Sequence, residues 1–147
     1  MNQTDPKPSL EPFAPLIGEW STEMTHPAFS GVVRGRARFE WLAGERFLIQ
    51  RAETDQPAFP DSIWVIGVME DDDHLSAQYF DQRGVHRVYP IGFNGTELRI
   101  WRDAPGFAQH LTAKLSADRS SLEGVWQLNK DDQGFRDHLA VKFRRSA

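Results

Sequence analysis

Arg87 and Tyr89 are spaced two apart in a segment, His86 to Ile91, that alternates polar and apolar side chains. That spacing puts both on one face of a strand. A guanidinium fork can bind both oxygens of a carboxylate, and a phenol beside it can donate a further hydrogen bond. The pair therefore suits an anionic ligand. Other arginines and tyrosines share strand faces with apolar residues in the same way. Arg51 goes with Phe47 and Ile49, Arg102 with Leu98 and Ile100, and Tyr79 and Asp81 with Leu75 and Ala77. Fully buried arginine is rare unless it is paired. These faces predict one of two arrangements. Either they line a wet cavity with polar anchors at Arg51, Tyr79, Arg87, Tyr89 and Arg102, or Arg87 makes an internal ion pair with Asp81 or Glu53. Apolar walls for such a cavity are available in Phe39, Trp41, Phe47, Ile49, Trp126, Leu139 and Val141, whereas Trp20 reads as core.

Other chemistries are thinly represented. The sequence contains no cysteine, which excludes a disulfide framework, a thiolate metal site and a Cys nucleophile. The histidines His26, His74, His86, His110 and His138 form no HxH or HExxH pattern, so a protein-built zinc site is not expected. No nucleophile elbow, P-loop or dinucleotide fingerprint is present. Asp71, Asp72 and Asp73 lack the spaced ligands and glycine of a calcium loop and read as a solvated hairpin tip. Tyr79, Asp81 and Arg87 could serve acid–base catalysis on a carboxylated substrate, the enzymatic alternative to simple binding. The net charge of −4 over 147 residues argues against a nucleic-acid partner. No apolar run nears the roughly 20 residues that span a bilayer, and no signal-peptide core opens the chain. A cytoplasmic protein with a small hydrophobic or amphipathic ligand is the expectation.

The elements that must position these residues are short and alternate with period two. Strands are predicted over about 18–26, 31–42, 46–54, 62–70, 74–81, 84–92, 96–102, 107–116, 121–129 and 135–145. Residues 1–8, polar and bearing two prolines, read as a flexible tail, and 9–147 as one domain. Leu10, Phe13, Leu16 and Ile17 mark a short helical turn that Ser9 could cap and that two prolines keep short. Asn94-Gly95 is the strongest hairpin signal, as the central pair of a type I′ turn. About ten strands joined by hairpins favour an antiparallel up-and-down barrel, since closure removes both sheet edges. The helical turn would plug one end, and a two-sheet sandwich is the competing architecture. The second strand settles its own orientation, with Val33, Ala37, Phe39 and Trp41 inward and Arg34, Arg36 and Arg38 outward. The fourth strand is apolar on both faces, so its outer face needs cover, from the N-terminal segment or from a second copy in a homodimer.

Several motifs carry a family resemblance. Gly18-Glu19-Trp20, following the short proline-bearing turn, resembles the opening Gly-x-Trp of the calycins, which include lipocalins, fatty-acid-binding proteins and nitrobindins. Phe39-Glu40-Trp41-Leu42, Tyr79-Phe80-Asp81, Arg87-Val88-Tyr89, Trp101 to Phe107 and Gly124-Val125-Trp126 look like those of uncharacterised bacterial calycin-type domains. The resemblance spans about Leu10 to Arg145 and implies a ligand-cavity barrel without an assigned reaction. Fatty-acid-binding proteins hold a carboxylate with an Arg-x-Tyr in their final strand; here the pair lies mid-chain, so the likeness is one of chemistry. Nitrobindins ligate haem through a histidine near the C-terminus, which makes His138 the positional candidate for a haem-binding alternative. Simple alternation puts His138 on the face of Arg136, Lys142 and Arg144, toward solvent.

Overall fold

The computed structural model describes residues 9–68 and 74–146. The tail 1–8 and the acidic run Asp71–Asp73 lie outside the described residues. A 3-10 helix, Glu11–Leu16, precedes ten strands. These are β1 (Gly18–His26), β2 (Phe29–Trp41), β3 (Phe47–Thr54), β4 (Ser62–Val68), β5 (Leu75–Asp81), β6 (His86–Phe93), β7 (Glu97–Arg102), β8 (Phe107–Leu115), β9 (Ser121–Lys130) and β10 (Arg136–Arg145). Each pairs antiparallel with its neighbours in sequence, and β1 also pairs with β10, closing the barrel. The sandwich alternative is excluded by that last pairing. Among the described residues no helix is long and apolar enough to cross a membrane.

Antiparallel order gives the barrel two unlike ends. At one end, Phe13, Leu16, Trp20 and Leu48 are almost wholly buried. The 3-10 helix is all that forms of the expected helical turn. Its N-cap is Leu10, and Ser9 Oγ accepts from Glu11 N at 3.1 Å from one position earlier. Phe13 reaches Phe93 at 5.5 Å between ring centroids. Trp20 Nε1 donates to Leu16 O at 2.9 Å, so the largest buried ring also ties down the helix. Arg145, at the end of β10, covers this assembly. Its guanidinium carbon lies 4.2 Å from the Trp20 ring centroid. Its N–H groups donate to the carbonyls of Ile17 at 2.8 Å, of Arg119 at 3.1 Å and of Pro15. One side chain thereby joins the helix exit, β1, β10 and the β8–β9 turn.

Strand orientation follows register. Phe39 stands opposite Gln50 and Ala37 opposite Ala52, while Arg38 stands opposite Arg51. Cross-strand partners share a face, so the solvent face of β2 dictates that of β3. Leu48, Gln50, Ala52 and Thr54 therefore point inward. Arg51 points outward, against the expectation, and its Nε lies 3.2 Å from Glu40 Oε1. Phe47 and Ile49 go with it and are not cavity walls. Phe47 instead covers Gly67 of β4 from outside, where a Cβ would collide with its ring. At Gly35 and Gly124 a Cβ would strike the backbone carbonyls of Glu53 and Thr112, so these inward glycines let neighbouring strands coil closely.

Two further local expectations are corrected. The β6–β7 turn is centred on Gly95 and Thr96, since Asn94 N bonds Glu97 O at 3.3 Å and only Gly95 has positive φ, at 96°. Asn94 Oδ1 accepts the N–H groups of Thr96 and Glu97 at 2.9 and 2.7 Å, an Asx turn in place of the expected type I′ pair. In β10 the register shifts between Asp137 and Leu139. That bulge leaves Phe135 39% exposed, stacked on His110 at 4.2 Å, rather than in the core.

The clamp predicts an asymmetry among arginines. Arg145→Ala should cost about 2–4 kcal/mol, because it strands three carbonyls and a covered Trp face. Arg36→Ala breaks only an exposed pair with Glu53 and should stay within about 1 kcal/mol. Urea denaturation midpoints of the two variants check this.

Candidate functional site

The opposite end is where the chemistry collects. It is built from the ends of β1, β3, β5, β7 and β9 and the starts of the strands that follow them. A cavity of about 420 Å³ runs inward from it. That volume suits a small organic molecule. Arg87, Tyr89, Tyr79, Trp126 and Phe39 line it, as do Trp64, Phe107 and Gln109. Three expected site residues are elsewhere. Arg51 is on the outer wall. Trp41 packs on the core at the closed end. Arg102 ends β7 in register with Gln109 but does not line the cavity.

The middle of the barrel is crossed by aromatic rings. Trp64 is 4.9 Å from Tyr79, 5.2 Å from Tyr89 and 6.4 Å from Trp126, and lies within 24° of parallel to the last. Tyr89 meets Trp126 edge-on at 5.9 Å. Trp64 is thus the hub of the site, although nothing in its strand distinguished it. β4 is apolar on both faces, and only its pairing with β3 and β5 determines that Trp64, not Ile63 or Val65, points in.

The polar groups divide into committed and uncommitted. Tyr79 Oη donates to Asp81 Oδ2 at 2.6 Å. Asp81 also receives Arg83 Nη2 at 2.7 Å and Arg83 N at 2.8 Å, and its carboxylate is wholly covered. The Arg83 hydrogen bonds, helped by the Tyr79 hydroxyl, hold the Asp81 carboxyl well below the usual carboxylate range, although burial opposes them. Burial, reinforced by the Asp81 carboxylate, pushes the Tyr79 phenol up. These shifts keep Tyr79 protonated and Asp81 ionised around neutrality. Tyr89 Oη donates to Gln109 Oε1 at 2.9 Å. Its proton is directed at Gln109, so Tyr89 is not a second donor beside Arg87 in the expected clamp.

Arg87 differs from its neighbours. The two carboxylates expected to pair with it are taken, Asp81 by Arg83 and Glu53 by Arg36 at 2.9 Å. Its guanidinium carbon lies 5.4 Å from the Phe107 ring centroid. Among the described residues the guanidinium makes no ion pair or hydrogen bond. It is half-buried on the cavity wall with its N–H groups uncommitted. No buried side-chain polar atom is left unsatisfied among the described residues, so those groups remain reachable from the cavity.

The bulge in β10 also relocates His138. Instead of facing solvent with Arg136 and Lys142, it lines the cavity and meets the His26 ring edge-on at 4.6 Å. Burial, with His26 as a second cause, pulls its pKa down and favours the neutral imidazole. His26 Nδ1 accepts from Ala28 N at 2.9 Å, which fixes that ring. A larger but shallower groove, about 650 Å³, runs along the outside of β2 to β5. Its Arg36 and Arg51 are engaged by Glu53 and Glu40, and its Arg38 lies 3.9 Å from the same Glu40 oxygen, so each of these cations faces a carboxylate.

No family model matches the chain, and no curated protein matches it. Among solved structures it is similar to the crystal structure of Rv2717c from M. tuberculosis. The TM-score is 0.67 at 17% identity, over 97% of this chain and 100% of that one. At that identity the likeness establishes the barrel fold alone.

The Asp81 cluster predicts a pH dependence. A carboxyl whose folded pKa is depressed adds stability above its unfolded value, near 4, and loses it as pH falls toward the folded value. Asp118, which accepts from Ser120 and Ser116 and is held at about 2, titrates in the same window. The informative comparison is therefore with Asp81→Asn. Wild type should lose stability more steeply than the variant between about pH 4 and pH 2, as read from denaturant midpoints at each pH.

Proposed function

We propose that the chain is a calycin-type binding barrel that holds a small amphipathic anion, with Arg87 as its anchor. The 3-10 helix floors the barrel and the opposite end admits the ligand. The observation that carries this reading is a half-buried guanidinium on a cavity wall with no acidic partner among the described residues. Taking a cation partly out of water is costly unless an anion or hydrogen-bond acceptors answer it. A ligand carboxylate would do both, while the apolar walls bury the rest of the molecule. The pattern of polar groups favours binding over turnover, because Tyr79, Asp81 and Arg83 are committed to each other and Arg87 alone of that group is left to meet a ligand.

A second reading rests on His138. The β10 bulge turns a near-neutral imidazole into the cavity, and one neutral imidazole can serve as the axial ligand of a haem. His138 would supply that nitrogen and the aromatic layer the apolar contact. Haem, when bound, would supply gas-ligand or redox chemistry. Haemin titration discriminates the two: a Soret band lost in His138→Ala supports the second reading, and its absence rejects it.

Native mass spectrometry of the purified protein tests the first. A co-purifying organic acid should be retained by wild type and reduced at least tenfold in Arg87→Gln. Equal retention by both would reject Arg87 as anchor. The same spectrum reads the oligomeric state. Ile63, Phe80 and Val88 stay exposed on the outer face of β4 to β6, the surface a homodimer would cover.

A further inference from the structure

The proposed anchor leaves open what kind of acid is held. The answer lies in what surrounds the cation. Acyl chains are matched by walls of aliphatic side chains that follow a flexible tail. Here aliphatic side chains such as Leu98, Ile100, Leu111 and Val141 also line the cavity, but flat, rigid π-faces stand among them. Trp64, Tyr79, Tyr89 and Trp126 form one connected set, each ring within 6.4 Å of another. The set crosses the barrel from β4 to β9. The two tryptophans lie within 24° of parallel, so they present similarly oriented faces. The cation lies beside this set, because Arg87 stands opposite Tyr79 in the β5–β6 register, and its guanidinium carbon lies 5.4 Å from the Phe107 ring centroid. A guanidinium seated on an aromatic face keeps its N–H edge free for an anion lying roughly in its own plane.

Hydrogen bonds hold two of these rings in place. Tyr79 is fixed by Asp81 at 2.6 Å and Tyr89 by Gln109 at 2.9 Å. Tyrosines restrained in this way offer preset faces and lose little freedom when a ligand stacks on them. A planar conjugated group gains stacking from such faces beyond its buried area. A saturated chain gains only burial and must also give up its own rotamer entropy. The cavity volume, about 420 Å³, has room for a compact bicyclic acid.

We infer that the cavity selects a flat, conjugated monocarboxylate, with the carboxylate on Arg87 and the ring system against Trp64 and Trp126. The inference rests on the anion-anchor reading, and the test separates the two. Three probes of similar size are titrated by isothermal calorimetry against the full chain: 2-naphthoate, decanoate and the neutral 2-methylnaphthalene. Wild type should bind 2-naphthoate roughly tenfold more tightly than either of the others. Arg87→Gln should abolish the preference over 2-methylnaphthalene and keep the preference over decanoate's chain. Trp64→Leu should do the reverse. The wild-type comparison stands without either variant if one fails to fold. Decanoate binding as tightly as 2-naphthoate, and weakened by Arg87→Gln, would overturn the planar class while leaving the anchor. Binding of 2-methylnaphthalene as tight as that of 2-naphthoate, or of none of the three, would overturn both.

Discussion

Everything in this molecule follows from the pairing of β1 with β10. That contact turns a ten-stranded meander into a closed wall, and closing ten strands encloses more space than their own side chains fill. The surplus has to be packed or left as a cavity, and the chain does one at each end. At the closed end a short proline-bearing 3-10 helix supplies Phe13 and Leu16 as filling, and Trp20 completes the layer. Arg145 caps that layer with a ring contact and three carbonyl bonds. Arg145, which caps that layer, thus sits on the strand that closes the wall. At the other end no comparable segment enters among the described residues, and a cavity of about 420 Å³ runs inward.

Charge is distributed with the same division. On the outer wall Arg34, Arg36 and Arg51 each meet a glutamate from a neighbouring strand. Such exposed pairs add little stability but keep the wall polar and the register unambiguous. At the cavity mouth Asp81 is claimed by Arg83 and Tyr79 together. That arrangement consumes the carboxylate nearest in sequence to Arg87. Among the described residues that leaves Arg87 on the cavity wall without an acidic partner, close to the aromatic rings, and the proposed anion anchor rests on that arrangement.

Much of this was legible in the sequence. Strand positions came through because period-two alternation and turn residues are local signals. Tyr79, Arg87, Tyr89, Trp126 and Phe39 were found because each shares a face with apolar neighbours whose direction is unambiguous. Arg51 was misplaced because β3 is apolar on one parity at its start and on the other at its end, and only its pairing with β2 resolves the choice. Trp64 was overlooked for the same reason on β4. His138 was assigned to solvent because alternation assumes an unbroken ladder, and a bulge adds one residue without leaving a strong local mark. The Tyr89–Gln109 hydrogen bond was not legible, because it joins β6 to β8 across β7 and local alternation says nothing of such contacts.

The central claim is that Arg87 meets the ligand's anion inside the barrel. Side-chain Nε–H resonances of arginine report that contact directly. With saturating 2-naphthoate, the Arg87 Nε–H signal should shift and exchange more slowly with water, while those of Arg36 and Arg51 on the outer wall stay where they were. An Arg87 signal unmoved at saturation, or one that moves no more than the outer arginines, would contradict the account.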